Sequence, residues 1–231
     1  MNKLHVLSGG AAQGLVTNLA PAFTAATGLQ IEGEFGAVGA MADRLRKGVA
    51  ADVIILTSAL VATLAAEKLV SPASVRDIGL VETALAVRAG DPPVAAKDAA
   101  SLREALRAAD AIFVPDTKAS TAGIHVAKVL EQLGIAGEVG QRLRIFPNGA
   151  TAMRHLAESD ARRPIGCTQS TEIIATNGVV LSGLLPPECA LATLYTAAVT
   201  TRTSAAPAAE RLIDLLTAAE AGEARGRAGF T

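Results

Sequence analysis

The sequence predicts an α/β protein with two lobes, each built on a mostly parallel sheet flanked by helices. Strand and helix patterns alternate along the chain, which indicates parallel strands joined by helical crossovers. Two long strand-like segments, at about 80–88 and 191–200, bracket a central α/β block and would join the lobes as crossing strands. The chain has 231 residues, enough for one large domain or two small lobes.

The first third of the chain carries a repeated strand–helix pattern. Residues 4–7 are predicted as a short buried strand that ends at Ser-Gly-Gly, and 12–27 as a helix that stops at Gly28. A strand is expected at 30–35 and a helix at 39–47. The run Asp-Val-Ile-Ile-Leu at 52–56 is apolar enough for a strand buried on both faces, and a helix should follow.

The central block continues the same alternation. Helices are predicted at 101–109, 124–133 and 150–158, with a short helix at 171–175, and strands at 111–114, 143–146 and 164–168. Ser101 with Glu104 is predicted to form a capping box at the first of these helices. Helices at 206–217 and 219–228 would close the first lobe. The predicted lobes, with approximate boundaries, are residues 1–82 with 198–231 and residues 83–197.

Composition excludes several classes of partner. The 21 basic and 22 acidic residues give a formal net charge of −1, so no basic surface for nucleic acid is expected. Aromatic residues make up 3% of the chain, which argues against base-stacking platforms and aromatic cages. No apolar run approaches 20 residues, so we expect no membrane segment. As given, the chain is predicted to be cytoplasmic, or periplasmic if a signal segment was removed.

Cysteine and histidine spacing predicts no metal site, and we expect no cofactor. Cys167 and Cys189 belong to no Cys-x-x-Cys motif, and the three histidines are far apart. The cysteines are either two buried small apolar residues, which we favour, or one disulfide. The chain contains no P-loop and no dinucleotide-binding glycine fingerprint.

Six small, polar loops, in which Lys118 is the only cationic residue, each follow a predicted strand and open a helix. Free N–H groups at a helix N-terminus bind anions, and small residues let the backbone approach a ligand. The alternative is that each loop is an ordinary turn with a capping residue. We expect them to line an anion cleft between the lobes, with these ligand-binding candidates: Ser8, Gly9, Gly10, Val38, Gly39, Thr57, Ser58, Lys118, Ser120, Thr121, Asn148, Gly149, Ala150, Thr151, Thr168, Gln169 and Ser170.

These loops and their flanking segments together resemble one protein family. The resemblance rests on VLSGGAAQG, APAFTAATG, FGAVG and ADV in the first lobe, and on PDTKASTAGIH, FPNGATAM, PIGCTQSTEII and LATLYTAAV later. Over essentially its whole length, the chain resembles the molybdate-type periplasmic substrate-binding proteins. The resemblance implies a type II periplasmic-binding-protein fold that closes by a hinge around a small anion. It also implies an ABC-transporter permease as partner if the protein is exported.

Two departures from the family pattern bear on the ligand. The serine that helps to hold tetrahedral oxyanions in the second loop of the family is Val38 here, and the tyrosine of the late loop is replaced by the stretch Cys-Thr-Gln-Ser-Thr. Ser8 remains. Losing two donors weakens binding of a tetrahedral oxyanion, so we expect an organic di- or tricarboxylate rather than molybdate.

Two other functional classes stay open. Part of the wider family resembles aconitate isomerases, which move a double bond in a tricarboxylic acid by proton transfer. That chemistry needs a general base, and the candidates are Glu172, in the late loop, and His125, just inside a helix. A packed helix histidine is the alternative for His125. The third class is a cytoplasmic ligand sensor that acts through a partner protein.

Overall fold

The computed structural model describes residues 3–231 and divides them into two compact units. Unit 1 comprises residues 3–81 together with Thr193–Thr231, and unit 2 is Glu82–Ala192. The predicted second boundary lay at 197/198, close to the end of the last strand. The observed division falls near the beginning of that strand, so most of the strand belongs to unit 1.

Nine strands and ten α-helices are described between residues 3 and 231. In chain order they are β1 (Lys3–Gly9), α1 (Gln13–Thr27), β2 (Gln30–Gly36), α2 (Val38–Arg46), β3 (Val53–Thr57), α3 (Ser58–Ala66), β4 (Arg76–Arg88), α4 (Ala99–Ala108), β5 (Ala111–Pro115), α5 (Thr121–Gln132), α6 (Ala136–Val139), β6 (Leu143–Phe146), α7 (Gly149–Ala157), β7 (Pro164–Gln169), α8 (Ser170–Ile174), β8 (Val179–Leu184), β9 (Ala192–Val199), α9 (Ala206–Thr217) and α10 (Gly222–Arg227).

The predicted order of strands and helices is confirmed, with three differences in detail. Neither β8, which pairs antiparallel with β4, nor the four-residue helix α6 was predicted. The predicted capping box of Ser101 and Glu104 is wrong, because α4 begins two residues earlier than expected. Asp98 is the capping residue: its side chain accepts the N–H of Ser101, and the Ser101 side chain accepts the N–H of Asp98.

Unit 1 contains a sheet in the order β2-β1-β3-β9. β1 runs parallel to β2 and β3, and β9 runs antiparallel to β3. Ser8 on β1 lies opposite Phe35 on β2 and Ile55 on β3, so the three parallel strands end together at one edge of the sheet. Parallel strands present their following loops at that edge, which brings the loops after β1, β2 and β3 close together.

The core of unit 1 lies on both faces of this sheet. Val53–Leu56 of β3 are all buried, as expected for a strand covered on both sides. α1 contributes Leu15, Val16 and Phe23, packs against α9, and ends at Gly28, whose φ of 72° lies in the left-handed region. A helix commonly ends on such a glycine because the residue has no Cβ to clash.

Unit 2 contains strands in the order β8-β4-β7-β5-β6. β5 is parallel to β6 and β7, whereas β4 is antiparallel to β7 and β8. Leu85 and Cys167 belong to a buried cluster on one face with α4 and α5. Ala84 and Ala86 belong to a second cluster with α7. In the stretch from residue 3 to 231, no helix is both long and apolar enough to span a bilayer.

Candidate functional site

The unit 1 candidates lie in the three loops at the carboxyl edge of its parallel strands. Ser8 and Gly9 end β1, and Gly10 begins a single 3-10 turn. Val38 and Gly39 open α2, and Ser58 opens α3. The side chain of Thr57 accepts the N–H of Leu60 as the cap of α3, at 3.4 Å. No side chain among the seven unit 1 candidates is charged, so only neutral donors are available there.

Gly9, at the end of β1, is packed tightly between a side chain of the next loop and a side chain of β9. A Cβ on Gly9 would lie 2.7 Å from Val38 Cγ1 and 3.0 Å from Tyr195 Cε1, so only glycine fits beside them. Tyr195, paired with Thr57 across the β3–β9 ladder, is 2% exposed and meets Phe230 edge to face. Val38 therefore contributes apolar packing where the resembled family has a hydroxyl.

The hydroxyl of Ser8 is fully buried and bonded within its own loop. Its Oγ donates to the carbonyl oxygen of Gly9 at 2.8 Å. A serine oxygen still accepts hydrogen bonds in that state, and it becomes a ligand donor only after its hydrogen rotates away from the carbonyl.

The unit 2 candidates follow β5, β6 and β7, which are parallel and end at one edge of the sheet. After β5, Lys118 is exposed, while Ser120 and Thr121 form the half-buried start of α5. The side chain of Ser120 makes no capping hydrogen bond. After β6, Asn148 caps α7 by accepting the N–H of Thr151 at 2.8 Å. Thr168 and Gln169 end β7, Ser170 begins α8, and all three are buried.

Glu172 places a buried carboxyl group against the start of α7. Its carboxyl oxygens accept hydrogen bonds from the backbone N–H groups of Gly149, Ala150 and Gln169. The hydroxyl of Thr168 donates to Glu172 Oε2 at 2.6 Å. The residue is 6% exposed. The backbone N–H groups of Gly149 and Ala150 were expected to bind a ligand. They bind the carboxyl group of Glu172 instead.

Two opposing effects act on the pKa of this carboxyl group. Burial penalises the charged form and raises the pKa of Glu172, while the four hydrogen bonds favour the charged form and lower it. Burial is the larger effect, so the pKa of Glu172 lies above its ordinary value. The group therefore holds a proton at pH values where an exposed glutamate has lost it.

Gly149 is the residue that lets the carboxyl group approach the helix so closely. A Cβ on Gly149 would lie 1.9 Å from Glu172 Oε2 and 2.1 Å from Thr168 Oγ1. No side chain can occupy that volume while both groups stay in place. Thr168, Gly149 and Glu172 consequently form one packed cluster that joins β7, α7 and α8.

Two polar residues of unit 2 that lack hydrogen-bond partners, Thr83 and Thr171, were not among the predicted site residues. The hydroxyls of Thr83 and Thr171, and both polar atoms of the Gln169 side chain, have no hydrogen-bond partner among residues 3–231. All three residues are at most 3% exposed. The available signal for Thr83 was its place in the otherwise apolar half of a long strand, where a hydroxyl is unusual.

The contacts of His125 and of the two cysteines are those of residues that stabilise the fold. His125 Nε2 lies 2.8 Å from the carbonyl oxygen of Cys189, so the ring links α5 to the turn before β9. Cys167 and Cys189 are both free and buried, so they form no disulfide. Burial raises the pKa of the Cys167 thiol to about 12. Among residues 3–231, no three His, Cys, Asp or Glu side chains are gathered as a metal ion would require.

Comparison with known proteins agrees with the resemblance seen in the sequence. The model of the family described as bacterial extracellular solute-binding proteins matches residues 4–231, and the chain belongs to that family. One curated relative, an aconitate isomerase from a Pseudomonas species, is 27% identical over 96% of this chain and 84% of its own length.

Solved structures with low sequence identity have the same fold. The periplasmic molybdate-binding protein of Azotobacter vinelandii superposes with a TM-score of 0.83 at 17% identity, covering 99% of this chain and 98% of that one. The sulfate-binding protein of Mycobacterium tuberculosis superposes with a TM-score of 0.76 at 19% identity, covering 100% and 86%. The fold is therefore the type II periplasmic-binding-protein fold, and the chain is a solute-binding protein of that class.

Proposed function

We propose that this chain binds a small organic di- or tricarboxylate through the loops at the carboxyl edges of its parallel strands. The observation that carries the proposal is the occupation of the α7 amides by Glu172. A buried tetrahedral oxyanion needs many N–H and O–H donors, and in unit 2 the amides of Gly149 and Ala150 already hold a carboxyl group. In unit 1, Val38 adds no hydroxyl.

The position of Glu172 also favours a ligand whose negative charges are far apart from one another. A compact oxyanion beside Glu172 would bring two like charges together whenever Glu172 is ionised, which weakens binding. A di- or tricarboxylate can place its carboxylates on other donors, such as the amides at the start of α5 after Ser120. The name of the curated relative, an aconitate isomerase, also refers to a tricarboxylic acid.

Membership of this family also suggests where the protein works and which protein it interacts with. Because the family is described as extracellular, we propose that the protein works outside the cytoplasmic membrane. A solute-binding protein of this class delivers its ligand to the permease of an ABC transporter, which would be the protein partner.

A ligand screen tests the proposal directly. Malate, succinate, citrate, tricarballylate and both aconitate isomers are compared with molybdate and sulfate by thermal shift, followed by calorimetry. A ligand that binds only the native state raises the unfolding temperature, so at least one carboxylate should do so. Molybdate should bind at least about a hundredfold more weakly, the cost of two missing donors. Submicromolar binding of molybdate with no binding of any carboxylate would contradict the proposal.

A second candidate is isomerisation of aconitate, which two observations favour. One is the similarity to the aconitate isomerase, and the other is the buried carboxyl group of Glu172. Moving the double bond requires that a base remove a proton from one carbon and that a proton be returned to another. A carboxyl group with a raised pKa can accept the first proton and give it back, with no change in oxidation state.

Proton NMR of cis- and trans-aconitate incubated with the protein in D₂O tests this second candidate. Isomerisation predicts interconversion of the two signals and no reaction with Glu172→Gln. Deuterium enters the product only where the proton carried by Glu172 exchanges with the solvent before it is returned. The matched change Glu158→Gln, at an exposed carboxyl group, should leave the rate unaltered. Binding of aconitate without interconversion leaves the binding proposal intact and rejects the isomerase.

A further inference from the structure

Three buried side chains of unit 2 carry polar atoms with no protein partner. The hydroxyls of Thr83 and Thr171 and the amide of Gln169 lack hydrogen bonds within the described chain, although these residues are 1%, 3% and 3% exposed. Leaving buried polar groups unpaired is costly, and native proteins normally satisfy them with protein, water or ligand. Four unpaired polar atoms in one part of unit 2 therefore indicate a ligand or ordered water.

The strand register brings these side chains together. Thr83 and Gln169 are directly opposite each other in the antiparallel pair β4–β7. Opposite residues of such a pair have their side chains on the same face of the sheet, roughly 5 Å apart at Cβ. Thr171 follows two residues after Gln169, in the first turn of α8.

The neighbouring Thr168 belongs to the other face of the sheet. Its register partner is Ala84, a member of the buried cluster beside α7, and its hydroxyl is used by Glu172. The unpaired group is thus distinct from the Glu172 cluster, although Gln169 contributes its backbone N–H to that cluster.

The donors and acceptor of the Gln169 side chain limit which ligands can complete its hydrogen bonds. Its side chain has two N–H donors and one carbonyl acceptor, and each threonine hydroxyl can donate once and accept. An ionised carboxylate or any inorganic oxyanion offers acceptors alone. Such a ligand would pair with the Gln169 amide N–H and with the hydroxyls, but it would leave the Gln169 carbonyl oxygen buried without a donor.

We infer that the ligand carries a hydroxyl group next to its carboxylates, and that Gln169 with Thr83 and Thr171 recognises this hydroxycarboxylate. The inference rests on the proposed binding of an organic di- or tricarboxylate and narrows its class. The ligand hydroxyl donates to the Gln169 carbonyl oxygen, and carboxylate oxygens accept from the Gln169 amide N–H and from the hydroxyls of Thr83 and Thr171. Every polar atom of the unpaired group is then satisfied.

Matched acids that differ by one hydroxyl test this inference. Citrate is compared with tricarballylate, and malate with succinate, by calorimetry at about pH 8, where all carboxylates of the ligands are ionised and cannot act as donors. In the pair that binds, the hydroxy acid should bind at least roughly tenfold more tightly than the acid without the hydroxyl. That difference corresponds to about one buried hydrogen bond.

The variant Gln169→Met shows whether Gln169 is the source of that preference. Methionine keeps the length of the side chain and removes both polar atoms, so the variant should bind the two acids of a pair equally. Gln141→Met, at an exposed position of unit 2, should keep the parent preference. Gln169→Leu, which also removes both polar atoms, provides the measurement if Gln169→Met does not fold. Thr171→Val should weaken both acids of a pair by a similar factor, because the carboxylate that the Thr171 hydroxyl would bond is common to both.

The outcomes separate the two proposals. Equal binding of both acids by the parent overturns the inference and leaves carboxylate binding standing; ordered water would then satisfy the unpaired atoms. A preference that survives Gln169→Met, or Gln169→Leu where the first variant does not fold, also overturns it. If neither pair binds, the proposed carboxylate function fails together with the inference.

Discussion

Glu172 is the residue whose charge state most affects unit 2. Its carboxyl group is buried, accepts four hydrogen bonds and sits against Gly149. Burying a carboxylate is costly even when it is well bonded, whereas a protonated carboxyl group is accommodated more readily. The native state should therefore prefer the protonated form more strongly than the unfolded chain does.

The first prediction concerns the pH dependence of stability at Glu172. The native pKa is raised above the ordinary value of 4.5, so the native state binds this proton more tightly than the unfolded state. The contribution of Glu172 to the free energy of unfolding is full below pH 4.5 and is lost as the pH rises through the native pKa.

Denaturant unfolding of the parent and of Glu172→Gln across this pH range measures that contribution. The difference in unfolding free energy, parent minus variant, should become less favourable to the parent as the pH rises. Glu158→Gln is the control for removing one exposed carboxylate. A difference that is constant with pH, or that grows in favour of the parent, would contradict a raised pKa.

The second prediction concerns the close approach at Gly149. Gly149→Ala forces a Cβ to within 1.9 Å of Glu172 Oε2, so the carboxyl group must move away from its donors. Thermal and denaturant unfolding should show a loss of about 2–4 kcal/mol, from steric strain and broken buried hydrogen bonds.

Gly137→Ala is the matched control for this substitution. Gly137 lies in helix α6, and a Cβ there meets nothing within 4 Å. Its replacement should be neutral or should stabilise the protein by up to about 1 kcal/mol, because alanine restricts the unfolded chain. Similar losses at the two positions would mean that Gly149 is not specially constrained.

At the residue scale, the positions of the loops were easier to predict than the hydrogen bonds that their residues make. Thr168 and Gln169 were expected in a late ligand loop, and both are buried at the end of β7. The bonding of Glu172 could not be predicted, because its partners at the start of α7 are more than twenty residues earlier in the chain. Short-range patterns carry no information about which distant helix start a carboxyl group will meet.

Helix beginnings are the elements on which the candidate site depends. Asn148 caps α7 through its side chain, whereas Ser120, at the equivalent position before α5, makes no side-chain cap. The same type of sequence signal, a small polar residue before a helix, thus has two structural outcomes. A capping hydrogen bond stabilises the folded chain, and an uncapped polar residue leaves its group available to a ligand.

The third prediction compares these two caps. Asn148→Ala should cost about 1 kcal/mol of unfolding free energy without ligand, since it removes the hydrogen bond to the Thr151 N–H. Ser120→Ala should change the stability by no more than about 0.5 kcal/mol. Urea unfolding of both variants measures the difference, and an equal loss at Ser120 would reveal a cap that the structure lacks.

Buried strands could be predicted from the sequence, whereas exposed strands were difficult to predict. The apolar run of β3 is buried on both faces and was predicted almost to the residue. β8 was missed because most of its residues are exposed or half-buried and Gly183 interrupts its apolar pattern. β8 is held by its pairing with β4, a tertiary interaction that hydrophobic periodicity does not encode.

Across the whole molecule, the two thiols should report on global unfolding. Cys167 and Cys189 are buried and free, and burial raises the pKa of both, helped at Cys189 by the neighbouring Glu188. The reactive species is the thiolate, so the fourth prediction is that neither thiol reacts with a disulfide reagent in the native protein.

Absorbance assays with and without denaturant measure this reactivity. The unfolded chain should react at both of its cysteines, and the native chain only as fast as it unfolds. The variant Cys189→Ser separates the two thiols and should show one slow reaction. Rapid labelling of the native protein would mean that one of the thiols is accessible without unfolding.

The division of the chain into units has a consequence for synthesis on the ribosome. Unit 2 is one continuous segment, so all its strands are available before the last residues are translated. Unit 1 needs β9 and α9 from the C-terminal segment, and until β9 arrives β3 is an open sheet edge. We expect the nascent chain to form unit 2 first and to carry an incomplete, aggregation-prone first sheet until β9 and α9 have been translated.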